Sequence, residues 1–115
     1  MSSRNRSLTG QLTEKEFQQA LCQLATITGW RWIHFRTVRD HRNNYSTPLQ
    51  GAAGFPDLVL VHPERGLLFV ELKTTHGRLS EDQKKWGNDL LDAGAEYYLW
   101  RPEDWKTIKT RLGAT

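Results

Sequence analysis

The stretch Gly54–Thr74, GFPDLVLVHPERGLLFVELKT, sets two short apolar runs, LVLV and LLFV, on either side of a turn-like HPERG. Such runs, rich in Val, Leu and Phe and bounded by Gly and Pro, read as the strands of a hairpin, Asp57–Val61 and Leu67–Lys73. Each run adjoins residues foreign to a core: Asp57 before the first, Glu71 and Lys73 closing the second. Side chains two apart share a strand face, so Glu71 and Lys73 point the same way. If Val61 pairs with Leu67, Asp57 falls opposite Glu71 and the three polar groups gather at one end of the sheet. Adjacent carboxylates repel and are costly to desolvate unless a cation compensates. Lys73 can compensate one of them, whereas a hard divalent metal on carboxylate oxygens would compensate both. On spacing alone, a plain surface cluster at a strand end, with Lys73 salt-bridged to Glu71 or Asp57, is the more ordinary account of so short a pattern.

Helices flank this hairpin in the sequence. In TEKEFQQALCQLATITG, Phe17, Ala20, Leu21, Leu24 and Ile27 recur at helical spacing, Thr13 and Glu16 form a T-x-x-E capping box, and Gly29 is a stop signal. The alternating, aromatic-rich WRWIHFR predicts a strand over Trp30–Arg36. Residues 37–54 follow without clear periodicity, and a loop that long in a small domain is usually functional or mobile. SEDQKKWGNDLLDAG predicts a second helix capped by Ser80 and Gln83, with Trp86, Leu90 and Leu91 on its apolar face and Gly94 as its stop. AEYYLW reads as a fourth core strand, and RPEDWKTIKTRL as a short closing helix with Pro102 in its first turn. The predicted order is α-β-β-β-α-β-α, one domain over residues 12–115 behind a polar, disordered tail at 1–11.

Composition agrees with a globular chain of this size: 115 residues, 37% hydrophobic and 25% charged. No stretch approaches the ~20 apolar residues of a membrane span, and the N-terminus lacks the apolar segment of a signal peptide. A lone cysteine, Cys22, allows no internal disulfide and no cysteine cluster for zinc, so an intracellular setting is expected. The net charge of +3 permits nucleic acid without requiring it. Its distribution says more, because Arg31, Arg36, Arg39 and Arg42 are opposed in their segment only by Asp40. Such a segment suits phosphate contacts or is simply a solvated loop.

The residues FPD…ELK resemble the PD-(D/E)xK signature of the restriction-endonuclease-like nucleases. Within that superfamily, AAGFPDLVLV, FVELKT and GRLSEDQKKW are similar to the VRR-NUC group of virus-type replication-repair nucleases. The resemblance spans roughly Glu14 to Trp100. It implies an α/β fold with an αβββαβ core, a central mixed four-stranded sheet flanked by helices, and here a short additional C-terminal helix. It also implies hydrolysis of DNA phosphodiesters with Mg²⁺ or Mn²⁺. By the same resemblance Asp57 and Glu71 would be metal ligands, joined by the Leu72 carbonyl. Lys73 would orient or deprotonate the attacking water, or stabilise charge on the scissile phosphate.

Family members often add an acid from the first helix, a part for which Glu16 is the candidate here, although its capping box already accounts for it. Gln83 poses the same choice between cap and catalytic site. Arg36, Arg39, Arg42, His76, Arg78, Lys84 and Lys85 are the candidate DNA contacts, the two lysines also reading as solvated helix surface. His34 reads as a sheet residue, and the five tryptophans as core, although Trp30 and Trp32 on one strand face could mark a dimer interface. Relatives resembling this chain act as homodimers on branched DNA such as four-way junctions, which makes a Holliday-junction resolvase the expected activity. The rival readings are a nuclease for single strands, flaps or duplex, and a DNA-binding module on the same fold without chemistry.

Overall fold

The computed structural model describes residues 12–35, 38–39, 45–46 and 53–114, with the two short pairs as backbone only. The expected tail at 1–11, and Arg36, Arg42 and most of the 37–54 segment, lie outside the described residues.

Helix α1, Glu14–Ile27, starts at the Thr13–Glu16 capping box: Glu16 N–H donates to Thr13 Oγ1 at 3.1 Å and Thr13 N–H to Glu16 Oε1 at 2.9 Å. It ends at Thr28, whose hydroxyl and N–H both return to the Leu24 carbonyl, ahead of Gly29 at φ 90°. The strands are β1 Arg31–His34, β2 Val38–Arg39, β3 Tyr45–Ser46, β4 Leu58–His62, β5 Gly66–Leu72 and β6 Glu96–Trp100. Helix α2 spans Glu81–Asp92, and a 3₁₀ turn at Pro102–Asp104 leads into α3, Trp105–Leu112. The main sheet runs β1-β4-β5-β6, antiparallel except for the parallel β5–β6 pair. This is the expected mixed α/β architecture. Val61 does pair with Leu67, and Leu58 with Val70, so the register that sets Asp57 beside Glu71 is realised.

One sheet face carries Leu58, Leu60, Leu68, Val70, Leu72 and Trp100, all buried, and meets Phe17, Leu21 and Ala25 of α1 and Ile108 and Leu112 of α3. Arg111 ties α3 to the sheet by a bidentate bond to Glu96, by Nη2 on the Arg65 carbonyl at 2.6 Å, and by its guanidinium over the Trp30 ring. The opposite face is covered by α2 only beside β5 and β6. There Gly87 permits the close approach, since a Cβ would stand 2.8 Å from the Tyr97 ring. As a result β5 is buried on both faces at its C-terminal end, where Val70, Glu71 and Leu72 are consecutive buried residues.

Several local expectations are corrected. The 37–54 segment contains a two-stranded ribbon, Val38 pairing with Ser46 and Arg39 with Tyr45, too short to leave a periodicity. Ile27 is exposed because it lies about 200° round the helix from buried Ala25. Leu91 is exposed while Trp86 and Leu90 are half-buried. Of the tryptophans, Trp30 and Trp100 are buried, Trp86 and Trp105 half-buried, and Trp32 exposed. Trp30 and Trp32 therefore do not form an exposed pair. Trp30 donates its Nε1–H to the Leu112 carbonyl inside the core, whereas Trp32 reaches Thr26 Oγ1 at the surface.

Candidate active site

Asp57 is positioned by the turn before β4. Gly54 has φ 80° and lies against α2 so closely that a Cβ would stand 2.5 Å from the Asp82 backbone, so both conformation and space require glycine. Phe55 is gripped edge-on by Phe35, Phe69 and Trp86, and Trp86 Nε1–H donates to the Ala53 carbonyl at 3.0 Å. Pro56 is fully buried. Asp57 thus emerges from a braced turn, and its Oδ2 accepts the Leu72 N–H at 2.8 Å. Burial raises its pKa, against the Leu72 bond and the charges of His34 and Lys73, which lower it. His34, at the end of β1 opposite Leu58, therefore stands close enough to act on the acid electrostatically.

Among the described residues Glu71 is the one charged residue with a buried side chain, at 1% exposure. Its Oε2 accepts from Gln83 Nε2 at 2.9 Å, while its Oε1 has no hydrogen-bond partner. Burial first, then the neighbouring Asp57 charge, pushes its pKa up to about 9. The same pair of charges, behind burial, helps push the Tyr97 hydroxyl up to about 12. Gln83 is at once a helix cap and a hydrogen-bond partner of Glu71. Its Oε1 accepts the Ser80 N–H at 2.8 Å in a capping box, and its Nε2 holds Glu71. An amide accepts at one end and donates at the other without changing its protonation state.

Lys73 follows β5 directly, its N–H donating to the Trp100 carbonyl at 3.1 Å. Its charge lowers the pKa values of Asp57, Glu71 and Glu14. Glu14 is the residue that sequence reasoning missed. Glu14 is exposed at the start of α1, and its pKa is raised, by desolvation first and by the Asp57 charge second, so it acts electrostatically on the acid pair. Glu16 is engaged in the capping box two residues on. A signal for Glu14 existed: it precedes Phe17 by three residues and Leu21 by seven, and so continues the buried stripe by one turn.

The structure brings together Asp57, Glu71, Lys73, Gln83 and Glu14. Among the candidate DNA contacts, His76 and Arg78 are exposed on the loop leading from Lys73 to α2. Lys84 and Lys85 are exposed on α2, Lys84 paired with Glu81 at 3.1 Å. For Arg39 the backbone alone is described, in β2, and Arg36 and Arg42 lie outside the described residues. No helix among the described residues is long and apolar enough to cross a membrane.

A buried acid pair with raised pKa values, beside an ammonium and an amide at a sheet end, makes the region a candidate functional site. The family model of the VRR-NUC domain matches residues 9–102, most of the sequence. The chain belongs to the VRR-NUC family. That makes it a member of a nuclease family, with DNA as its substrate class, in the PD-(D/E)xK superfamily. No curated protein and no solved structure matches the chain significantly.

The donor set fits a hard divalent cation. Among the described residues no group of three or more His, Cys, Asp or Glu side chains is arranged to hold a metal. What this VRR-NUC chain offers is a pair of carboxylates, one with an unpartnered buried oxygen and the other accepting the Leu72 N–H. Mg²⁺ suits sparse oxygen sites of this kind, which leave positions for water and phosphate.

Proposed function

We propose that this chain is a metal-dependent, structure-specific DNA endonuclease that resolves four-way junctions as a homodimer. The observation that carries the metal-dependent part is the buried Glu71 beside Asp57, with Oε1 unpartnered and a pKa pushed up to about 9. Such a pair is unfavourable by itself and becomes favourable when a cation shares its oxygens. Asp57, Glu71 and the Leu72 carbonyl would hold Mg²⁺ or Mn²⁺. When bound, the ion would supply Lewis acidity and lower the pKa of water.

The chain's own groups account for the remaining requirements. Gln83 fixes the Glu71 carboxylate through Nε2, and Leu72 N–H fixes Asp57 through Oδ2. Lys73, on the same strand end, orients the attacking water or stabilises charge developing on the phosphate. Glu14 takes the first-helix acidic place for which the sequence had suggested Glu16. Arg78, His76, Lys84 and Lys85 offer an exposed basic rim for the DNA backbone, and Arg36, Arg39 and Arg42 extend the basic composition.

The junction and dimer parts rest on the family resemblance and on symmetry: paired nicks across a junction need two sites related by a two-fold. They are supported by the sheet face that α2 leaves uncovered, where Ile33, Val61 and Leu67 are 58%, 44% and 48% exposed. The test is cleavage of end-labelled four-way junction, flap, single-stranded and duplex DNA with Mg²⁺, Mn²⁺ or EDTA, alongside Asp57→Asn. Symmetric, metal-dependent nicks in the junction alone, absent in the variant, are expected. Cutting of the other substrates instead would leave the site assignment standing and remove the junction reading. Binding without any cutting would make the chain a non-catalytic module.

A further inference from the structure

Beyond the acids, the most heavily hydrogen-bonded charged side chain near Lys73 is one that neither motif nor periodicity points to. Arg101 follows the last core strand, β6. Its Nη1 donates to the carbonyls of Thr74 at 2.6 Å and Gly77 at 2.7 Å, with a longer contact to Thr75 at 3.4 Å. These are the carbonyls of the turn directly after Lys73, which closes through Gly77 N–H on the Thr74 carbonyl at 3.2 Å. The guanidinium is itself set by a fixed backbone. Arg101 N–H donates to Asp104 Oδ2 at 2.8 Å, and Asp104 N–H returns to the Arg101 carbonyl at 2.9 Å.

The turn held in this way touches the lysine. A Cβ on Gly77 would lie 3.3 Å from Lys73 Cδ and 3.1 Å from Thr74 Oγ1, so Gly77 rests against the aliphatic stem of Lys73. Lys73 is thus fixed twice from the end of β6. Its N–H is anchored on the Trp100 carbonyl, and its stem is backed by a turn that Arg101 clamps from the next residue. A third tie, Thr75 Oγ1–H to Glu103 Oε1 at 3.1 Å, joins the same turn to the 3₁₀ segment. Charge-assisted bonds to carbonyls are about twice as strong as neutral ones. Two of them at one turn resist the motion that would release the long, rotamer-rich lysine side chain.

We propose that Arg101 is a positioning residue for Lys73, acting through the Thr74–Gly77 turn to hold the ammonium at the reacting phosphate; this rests on the catalytic reading of Asp57, Glu71 and Lys73. The role predicts loss of the chemical step without loss of DNA affinity, since displacing a reacting group by about 1 Å can cost about 100-fold in rate.

The experiment measures single-turnover cleavage, at saturating protein and Mg²⁺, of a DNA that the wild-type chain cuts. DNA Kd is read on the same variants combined with Asp57→Asn, so that nothing is cut. Arg101→Ala is expected to lower the saturating rate about 10- to 100-fold with Kd unchanged. Arg101→Lys should retain more of the rate, because an ammonium can still donate to both carbonyls. Gly77→Ala, which keeps Arg101 and pushes on the lysine stem, should show the same signature through the turn. If Arg101→Ala does not fold, Arg101→Gln, which keeps much of the stem without the charge, takes its place with the same expected loss. Full saturating rate in the folded variants, or loss only through weakened Kd, overturns the inference. Lys73→Ala separates the two levels. If it is inactive while the Arg101 and Gly77 variants are normal, only the positioning role fails. If it cuts like wild type, the catalytic reading fails and the positioning role with it.

Discussion

Gln83 reaches Glu71 across 2.9 Å from the first turn of α2 while its carbonyl oxygen caps that same helix at Ser80. One side chain thereby links the start of α2 to the carboxylate buried at the end of β5. The helix cannot shift along the sheet without moving the acid, and the acid cannot turn without losing its one amide donor. Charge balance, and not cap strength, selects glutamine at this position, since glutamate also completes a capping box.

Gln83→Glu separates the two roles. The cap survives, and a carboxylate at the helix N-terminus is itself favourable. A second carboxylate would then face Glu71 at a distance where glutamine now donates. The variant should fold with a midpoint of thermal unfolding at or near that of wild type, yet lose cleavage by at least about 10-fold, as expected for a misplaced or mis-charged catalytic group. Gln83→Ala should lose cleavage too, with a smaller loss of stability than removal of the Ser80 cap itself. Ser80 Oγ still accepts the residue-83 N–H, and only the reciprocal bond is lost. Wild-type cleavage by Gln83→Glu would show that its contact with Glu71 has no bearing on the reaction.

The acid pair makes stability depend on pH. Glu71 is pushed from 4.5 up to about 9 by burial and by Asp57. The folded chain therefore binds this proton more tightly than the unfolded chain, so the contribution is full below pH 4.5 and lost as pH rises toward about 9. Asp57 is shifted in the same direction. In EDTA, stability should decline across that window, and Glu71→Gln should flatten the decline while abolishing cleavage. Mg²⁺ or Mn²⁺ should raise the midpoint of thermal unfolding of wild type, more at pH 8 than at pH 6, because the ion competes with the proton. Thermal unfolding at both pH values, with and without metal, checks all three. An equal effect of metal on Glu71→Gln would remove Glu71 from the ligand set.

Much of this arrangement was legible in the sequence because short-range rules govern it. The HPERG turn fixes the hairpin register, and the register alone puts Asp57 beside Glu71. The Ser80–Gln83 box likewise announces the start of α2, although the amide's second bond, to Glu71, depends on how the helix lies on the sheet. Glu14 and Arg101 were hidden for the same reason. Glu14 continues the Phe17–Leu21 stripe by one turn, but only the way α1 lies on the sheet brings that turn into the field of the acids. Arg101 acts on main-chain carbonyls about a quarter of the chain away, and backbone acceptors leave no residue signature. The β2–β3 ribbon has two residues per strand, below the length at which alternation can be recognised.

The two acids of α1 allow a direct comparison. Glu14→Gln removes a charge that acts on Asp57 and Glu71 without touching the cap. It should reduce cleavage, or shift the Mg²⁺ concentration it requires, while leaving thermal stability close to wild type. Glu16→Gln preserves the T-x-x-Q form of the box and should change neither by much. Metal titrations of cleavage on the two variants check this. The reverse pattern would return the first-helix role to Glu16.

The uncovered sheet face offers the last test. Arg31 pairs with Val61 and Ile33 with Val59 on β4, and Val61 pairs with Leu67 on β5, so Ile33, Val61 and Leu67 form a contiguous apolar patch. Helix α2 leaves it open, whereas α1 and α3 bury the opposite face. Ile33→Asp with Leu67→Glu places charges on side chains already exposed to water, so the monomer fold should be little affected, as is usual for surface substitutions. If this face joins two copies, sedimentation should show the wild-type chain as a dimer and the double variant as a monomer. Junction cleavage should then change from paired cuts to single nicks while the rate of each nick is kept. A variant that remains dimeric and cuts in pairs would place the dimer contact elsewhere on the molecule.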